Sequence, residues 1–239
     1  MSELPIPLFH GTSSLFLDDI IRLGLGGMNP VVEWKVLEFA RTIYPLVEKH
    51  ISQEEAFIVP AGEFRLMTEQ ASPSSGGLNF QHGDTYLSPV SNTAVRYAVN
   101  KPIGSELLNC TLVFLKELLR RKVPGVNAIA GRSYPRIFNL LNVSAAPCLI
   151  EVTSVRTEDL AAEDGGDATP TLDDIAETLQ NFNQEDSDIV LQQCNFRLRR
   201  PVPASALRIW LINVTRWHPY TPEYTLYELP AKEGRHVRA

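Results

Sequence analysis

Leu8-Phe9-His10-Gly11-Thr12 is an apolar run that ends in His-Gly-Thr. Ile6 to Phe9 read as a strand, with His10 at its end. Ser13 or Ser14 can cap a helix from Leu15 to Leu23, in which Leu15, Phe16, Ile20 and Leu23 recur at helical spacing. Gly24-Leu25-Gly26-Gly27 stops it. A neutral imidazole offers one hydrogen-bond donor and one acceptor, enough for a sugar hydroxyl. Gly11 has no side chain, so its amide and carbonyl can approach both ends of a carboxamide closely. Thr12 adds a hydroxyl.

Two further stretches extend this reading. Asp84-Thr85-Tyr86-Leu87-Ser88 contains a short strand, and Ser91-Asn92-Thr93 opens a helix through Tyr97-Ala98. Tyr86 and Tyr97 can stack on the two faces of a flat ring. A cationic ring would add a cation–π contribution of ~0.5–2 kcal/mol. Cys194-Asn195 lead into a strand at Phe196 to Leu198, which is followed by Arg199-Arg200-Pro201-Val202-Pro203.

The rest of the chain mixes elements. Val31 to Ile51 reads as a long helix that Pro45 kinks or divides. Residues 69–83, with Gly76-Gly77, are polar and turn-rich, which suggests a mobile loop. Glu106 to Arg121 is a leucine-rich helix, and Leu172 to Phe182 is a surface helix. Pro147 to Val155, Ile189 to Leu191, Phe196 to Leu198 and Leu207 to Val214 read as strands. There is no regular alternation of strand and helix. This order points to an α+β domain with a largely antiparallel sheet.

Length fits one large domain or two small ones, and 44% hydrophobic residues support a sizeable core. No apolar run approaches the roughly 18 residues needed to cross a bilayer, so no membrane partner is expected. The first residues carry neither a basic start nor an apolar segment, which excludes a secretory signal and favours a cytoplasmic location. Cys110, Cys148 and Cys194 are scattered and read as free thiols; no pair has metal-ligand spacing. The net charge of −6 hides an asymmetry. Eleven of the 28 acidic residues lie between Glu158 and Asp188, a window with no Lys or Arg. The remaining chain then carries 17 acids against 22 bases and could face a polyanion.

Taken together, His10-Gly11-Thr12 followed by Leu23-Gly24-Leu25, and Tyr86-Leu87-Ser88 followed by Ala94-Val95-Arg96-Tyr97-Ala98, resemble the histidine–tyrosine branch of the ADP-ribosyltransferases. That branch holds diphtheria toxin, the poly(ADP-ribose) polymerases and bacterial nucleic-acid-modifying toxins. The resemblance spans residue 8 to about 210. It implies a split, largely antiparallel sheet flanked by helices, in a single domain over 1–239. A helical and loop insertion is expected at about 28–80 and an acidic insertion at about 158–188. It implies NAD as co-substrate, bound by His10, Gly11, Thr12, Tyr86 and Tyr97, with His10, Tyr86 and Asn195 as catalytic residues. Asn195 stands where the family carries Glu. It can hydrogen-bond a ribose hydroxyl but has no charge and is no general base. Gln193 fills that place if the register shifts by two, and Glu151 is a candidate base on a neighbouring strand.

The activity implied is transfer of one ADP-ribose to a macromolecule, nucleic acid before protein, with a bacterial toxin or defence role. An antitoxin or inhibitor protein would then be a partner, for instance through the acidic segment. Two rivals remain: an RNA 2′-phosphotransferase-like enzyme and a catalytically inactive NAD-fold binding module. The ordinary readings are a structural His10, core tyrosines at 86 and 97, and a strand-edge Asn195. Arg197, Arg199 and Arg200 can hold a phosphate backbone or the pyrophosphate of NAD, or be exposed strand charges.

Overall fold

A computed structural model describes residues 6–71, 80 and 82–230. In chain order the first half carries β1 (Leu8–Ser13), α1 (Leu17–Leu23), α2 (Pro30–Glu33), α3 (Val36–His50), α4 (Ile58–Glu69), β2 (Tyr86–Leu87), α5 (Ser91–Asn100) and α6 (Glu106–Arg120). The second half carries α7 (Val126–Ser133), α8 (Pro135–Asn139), β3 (Pro147–Val152), β4 (Leu160–Ala162), α9 (Thr169–Asn181), α10 (Gln184–Leu191), β5 (Phe196–Leu198), β6 (Leu207–Arg216) and β7 (Glu223–Glu228). Helices and antiparallel sheets are mixed without βαβ repetition, the α+β class. Among the described residues no helix is long and apolar enough to cross a membrane.

The chain divides into two compact units. The first takes in residues 1–27, 85–104 and 145–239; the second takes in 28–84 and 105–144. The stretch expected as an insertion therefore belongs to a unit that also recruits the helices after Gly104. Among the described residues all strands lie in the first unit. One sheet runs β1-β3-β6-β7 and the other β2-β5-β4, every neighbour antiparallel. α5 packs across β1 and β3, with Ala94, Val95, Ala98 and Val99 buried against Leu149 and Ile212. The three-stranded sheet turns Leu87, Phe196 and Leu160 inward, all at most 2% exposed. The second unit is helical. Its core holds Phe39, Phe64 and Phe114, with the last two rings stacked at 4.9 Å. Arg121 closes it by bonding the Glu117 carboxylate at 2.6 Å and the His50 carbonyl at 2.7 Å.

Several local expectations are corrected. β1 runs on to Ser13, so His10 lies within the strand; its rungs to β3 continue through Ser13↔Pro147. The break near Val31–Ile51 falls at Lys35, whose φ of 56° is left-handed, while Pro45 sits inside α3. The buried face Val36, Phe39, Ala40, Ile43 and Val47 holds that helix through the proline, which forfeits one amide donor. Ile189 to Leu191 form the last turn of α10 and not a strand. The Asn183 side chain caps this helix by accepting from the Asp186 amide at 3.0 Å, and Glu185 and Asp186 favour its first turn. Local capping here outweighs two β-branched residues. The acidic window contains β4, whose Leu160 and Ala161 are buried, so part of it belongs to the sheet. Gly76-Gly77 lie outside the described residues.

Candidate functional site

The site is built where β1 meets β2. Phe9 and Ser88 exchange both backbone bonds, each 2.8 Å. In an antiparallel ladder the next such rung would join Gly11 to Tyr86, two residues on along each strand. That rung does not form. The carbonyl of Tyr86 instead accepts from Nδ1 of His10 at 2.8 Å. The imidazole takes the bond that the Gly11 amide would have made, and the two strands part after one rung.

The parting leaves Gly11 with its amide and carbonyl directed toward β2. Strand geometry requires this. Phe9 spends both groups on Ser88, and Gly11, two residues later, points the same way; the pairing Gly11↔Leu149 with β3 is the non-hydrogen-bonded kind. Among the described residues no bond to either group of Gly11 is recorded. A donor and an acceptor side by side on one residue complement a primary amide. The glycine has a second reason. A Cβ on Gly11 would lie 2.0 Å from the carbonyl oxygen of Ala94 and 3.1 Å from the amide nitrogen of Ala98. α5 therefore rests directly on the strand. Tyr97 belongs to the same helical turn and is 38% exposed.

His10 is oriented by this bond. A carbonyl only accepts, so Nδ1 carries the proton and Nε2 of the neutral ring is an acceptor. Desolvation is the largest influence on its pKa and pushes it below the usual 6.5; the bond to Tyr86 opposes this. The ring is therefore neutral at pH 7. The native state binds fewer protons than the unfolded chain over a window below pH 6.5, so this group's contribution to stability falls as pH drops through that window. Protonation also converts Nε2 from acceptor to donor. Binding of a ligand whose hydroxyl donates to Nε2 is expected to stay flat from pH 8 to about 6.5 and to weaken only below it. A titration of ligand affinity against pH, compared with His10→Gln, checks this. A fall centred above pH 6.5 would contradict the neutral ring.

The remaining sequence-derived residues are placed as follows. Tyr86 is half-buried and stands opposite Arg197 on β5. Thr12 is 2% exposed and stands opposite Cys148, inside the four-stranded sheet. Asn195 immediately precedes β5. The residue after it, Phe196, pairs with Leu87, and the residue after Leu87, Ser88, is bonded to Phe9. Nδ2 of Asn195 donates to Oε2 of Glu163 at 3.0 Å. Gln193 lies in the turn after α10 and is exposed. Glu151 is tied to Arg208 at 3.3 Å, and Arg208 also bonds Glu228. Arg199 donates to the Gly166 carbonyl at 3.3 Å, and Arg200 pairs with Asp159 at 3.6 Å.

His10, Gly11 and Tyr86 thus meet at one point, α5 with Tyr97 lies on Gly11, and Asn195 adjoins the Leu87↔Phe196 pair. Glu163 was missed from sequence, where it read only as part of the acidic run. Its signal was its position at a strand end before the turn Asp164-Gly165-Gly166. Among the described residues no cluster of His, Cys, Asp or Glu could hold a metal ion. A scan of protein-family models and searches of curated proteins and of solved structures return no match to this chain.

Proposed function

We propose that this chain is an NAD-dependent mono-ADP-ribosyltransferase on a split, ADP-ribosyltransferase-like sheet. The observation that carries the reading is the ladder that His10 opens between Gly11 and Tyr86. The Gly11 amide and carbonyl would bind the carboxamide of nicotinamide. Tyr86 and Tyr97 would flank its ring, and Nε2 of His10 would accept from a ribose hydroxyl. The C1′–nitrogen bond of NAD breaks and its electron pair leaves with nicotinamide. The positive charge left on the sugar is captured by a nucleophile of the acceptor, which loses its proton to water. Positioning and electrostatics are the whole contribution of the protein to this step.

For the acceptor we favour nucleic acid over protein, because the chain outside residues 158–188 is net basic. The acidic α9–α10 segment is the surface an antitoxin or inhibitor protein would use. A second reading, an inactive module that binds NAD without splitting it, is favoured by one observation: the third position is Asn195 and not a carboxylate. Calorimetry with NAD followed by a nicotinamide-release assay separates the two. Mass spectrometry of RNA, DNA and protein incubated with NAD and the enzyme should then find one added ADP-ribose. Failure to bind NAD would remove the reading altogether; binding without release would leave the inactive module.

A further inference from the structure

Asn195 is bonded to a carboxylate that no motif pointed to. Because a carboxylate only accepts, the Asn195 atom facing Oε2 of Glu163 is the amide nitrogen. Its Oδ1 is therefore turned away from Glu163. Each residue adjoins the last pair between β4 and β5: Glu163 follows Ala162 and Asn195 precedes Phe196. On its other side Phe196 pairs with Leu87, and the residue after Leu87, Ser88, is bonded to Phe9, the neighbour of His10. The positive end of the Asn195 amide is thus held by a full negative charge. Its negative end is left for whatever lies beyond Glu163's reach. A charge-assisted bond at the nitrogen polarises the amide and strengthens Oδ1 as an acceptor.

We propose that Glu163 is a positioning residue for Asn195: it fixes and polarises the amide so that Oδ1 accepts from the 2′-hydroxyl of the nicotinamide ribose. The inference rests on the transferase reading above. The neutral Asn195 then supplies part of the negative potential that the sugar cation requires, and Glu163 takes no proton. The ribose hydroxyl stays protonated throughout, while the C1′–nicotinamide bond breaks and the bond from C1′ to the nucleophile forms. Glu163 is exposed, so its replacement leaves packing intact.

The test compares nicotinamide release and NAD binding in the wild type, Glu163→Gln, Asn195→Glu and the double variant. Glu163→Gln removes the charge and lets the Asn195 amide take either orientation. It should lower kcat about tenfold with KM for NAD changed less than about twofold, the pattern of a contact that matters in the transition state. Asn195→Glu alone sets a second carboxylate beside that of Glu163 and should not exceed the wild type. In the Glu163→Gln background the same change leaves a single carboxylate facing the sugar and should raise kcat above that of Glu163→Gln. That reversal of sign is something a merely structural role would not produce. Equal kcat for wild type and Glu163→Gln, with matching thermal melts, would overturn this inference and leave the transferase reading standing. A wild type that releases no nicotinamide would overturn both.

Discussion

Gly11→Ala should lower the free energy of unfolding by about 3 kcal/mol, near the upper end of what overpacking costs. The new methyl would meet the backbone of Ala94 at 2.0 Å, and helix backbone cannot rotate aside as a side chain can. α5 would have to lift, yet Ala94, Val95, Ala98 and Val99 are all buried against the sheet. The same displacement would move the Gly11 amide and carbonyl away from the Tyr86 carbonyl, so NAD binding should be lost with stability. Gly62→Ala supplies the contrast. It lies inside α4, a Cβ there meets nothing within 4 Å, and the change should stabilise by about 0.5–1 kcal/mol. Urea unfolding of both variants decides the matter. A Gly11→Ala effect as small as that of an ordinary surface change would mean that α5 does not rest on β1.

His10→Ala should reduce nicotinamide release about a hundredfold, the scale seen when a preorganised hydrogen-bonding group at a reacting centre is removed. The structure adds an unusual side effect. Without the imidazole, the Tyr86 carbonyl is free to accept from the Gly11 amide, and the ladder begun at Phe9↔Ser88 can extend by one rung. The site would then close by strand pairing. Amide exchange at Gly11 should slow in this variant, and stability should hold or rise despite the lost activity. Tyr86→Ala behaves differently, because only the backbone of Tyr86 holds His10. That variant should keep fast exchange at Gly11 and lose NAD affinity through the missing ring. Unchanged exchange at Gly11 in His10→Ala would show that the imidazole is not what parts the strands.

Much of this architecture could be read from local pattern. The helices α5 and α6 follow from apolar spacing and end signals, and β3, β5 and β6 follow from β-branched and apolar runs. Ser13 does cap the turn after β1, accepting from the Leu15 amide, and Gly24 takes a positive φ where α1 stops. The misreadings came where a local signal competed with a distant one. Pro45 looked like a break, but the buried face of α3 outweighs one missing donor. Ile189-Val190 looked like a strand, but Asn183 caps a helix there. β4 and β7 are short or exposed and carry weak patterns; pairing with the later β5 creates β4, and pairing with the preceding β6 creates β7.

By itself the sequence singled out the residues on which the proposed chemistry rests: an imidazole, a glycine without a side chain, two phenols and an amide. Hydrogen-bonding capacity is a property of residue type, so composition and spacing suffice to read it. Only the tertiary structure decided that His10 takes the carbonyl of Tyr86, that the freed groups of Gly11 face the opening, and that Glu163 stands behind Asn195. Those facts depend on the register between strands separated by some 76 residues or more, or on bonds that cross a sheet. A register is set by the packing of the whole sheet, and no local periodicity encodes it.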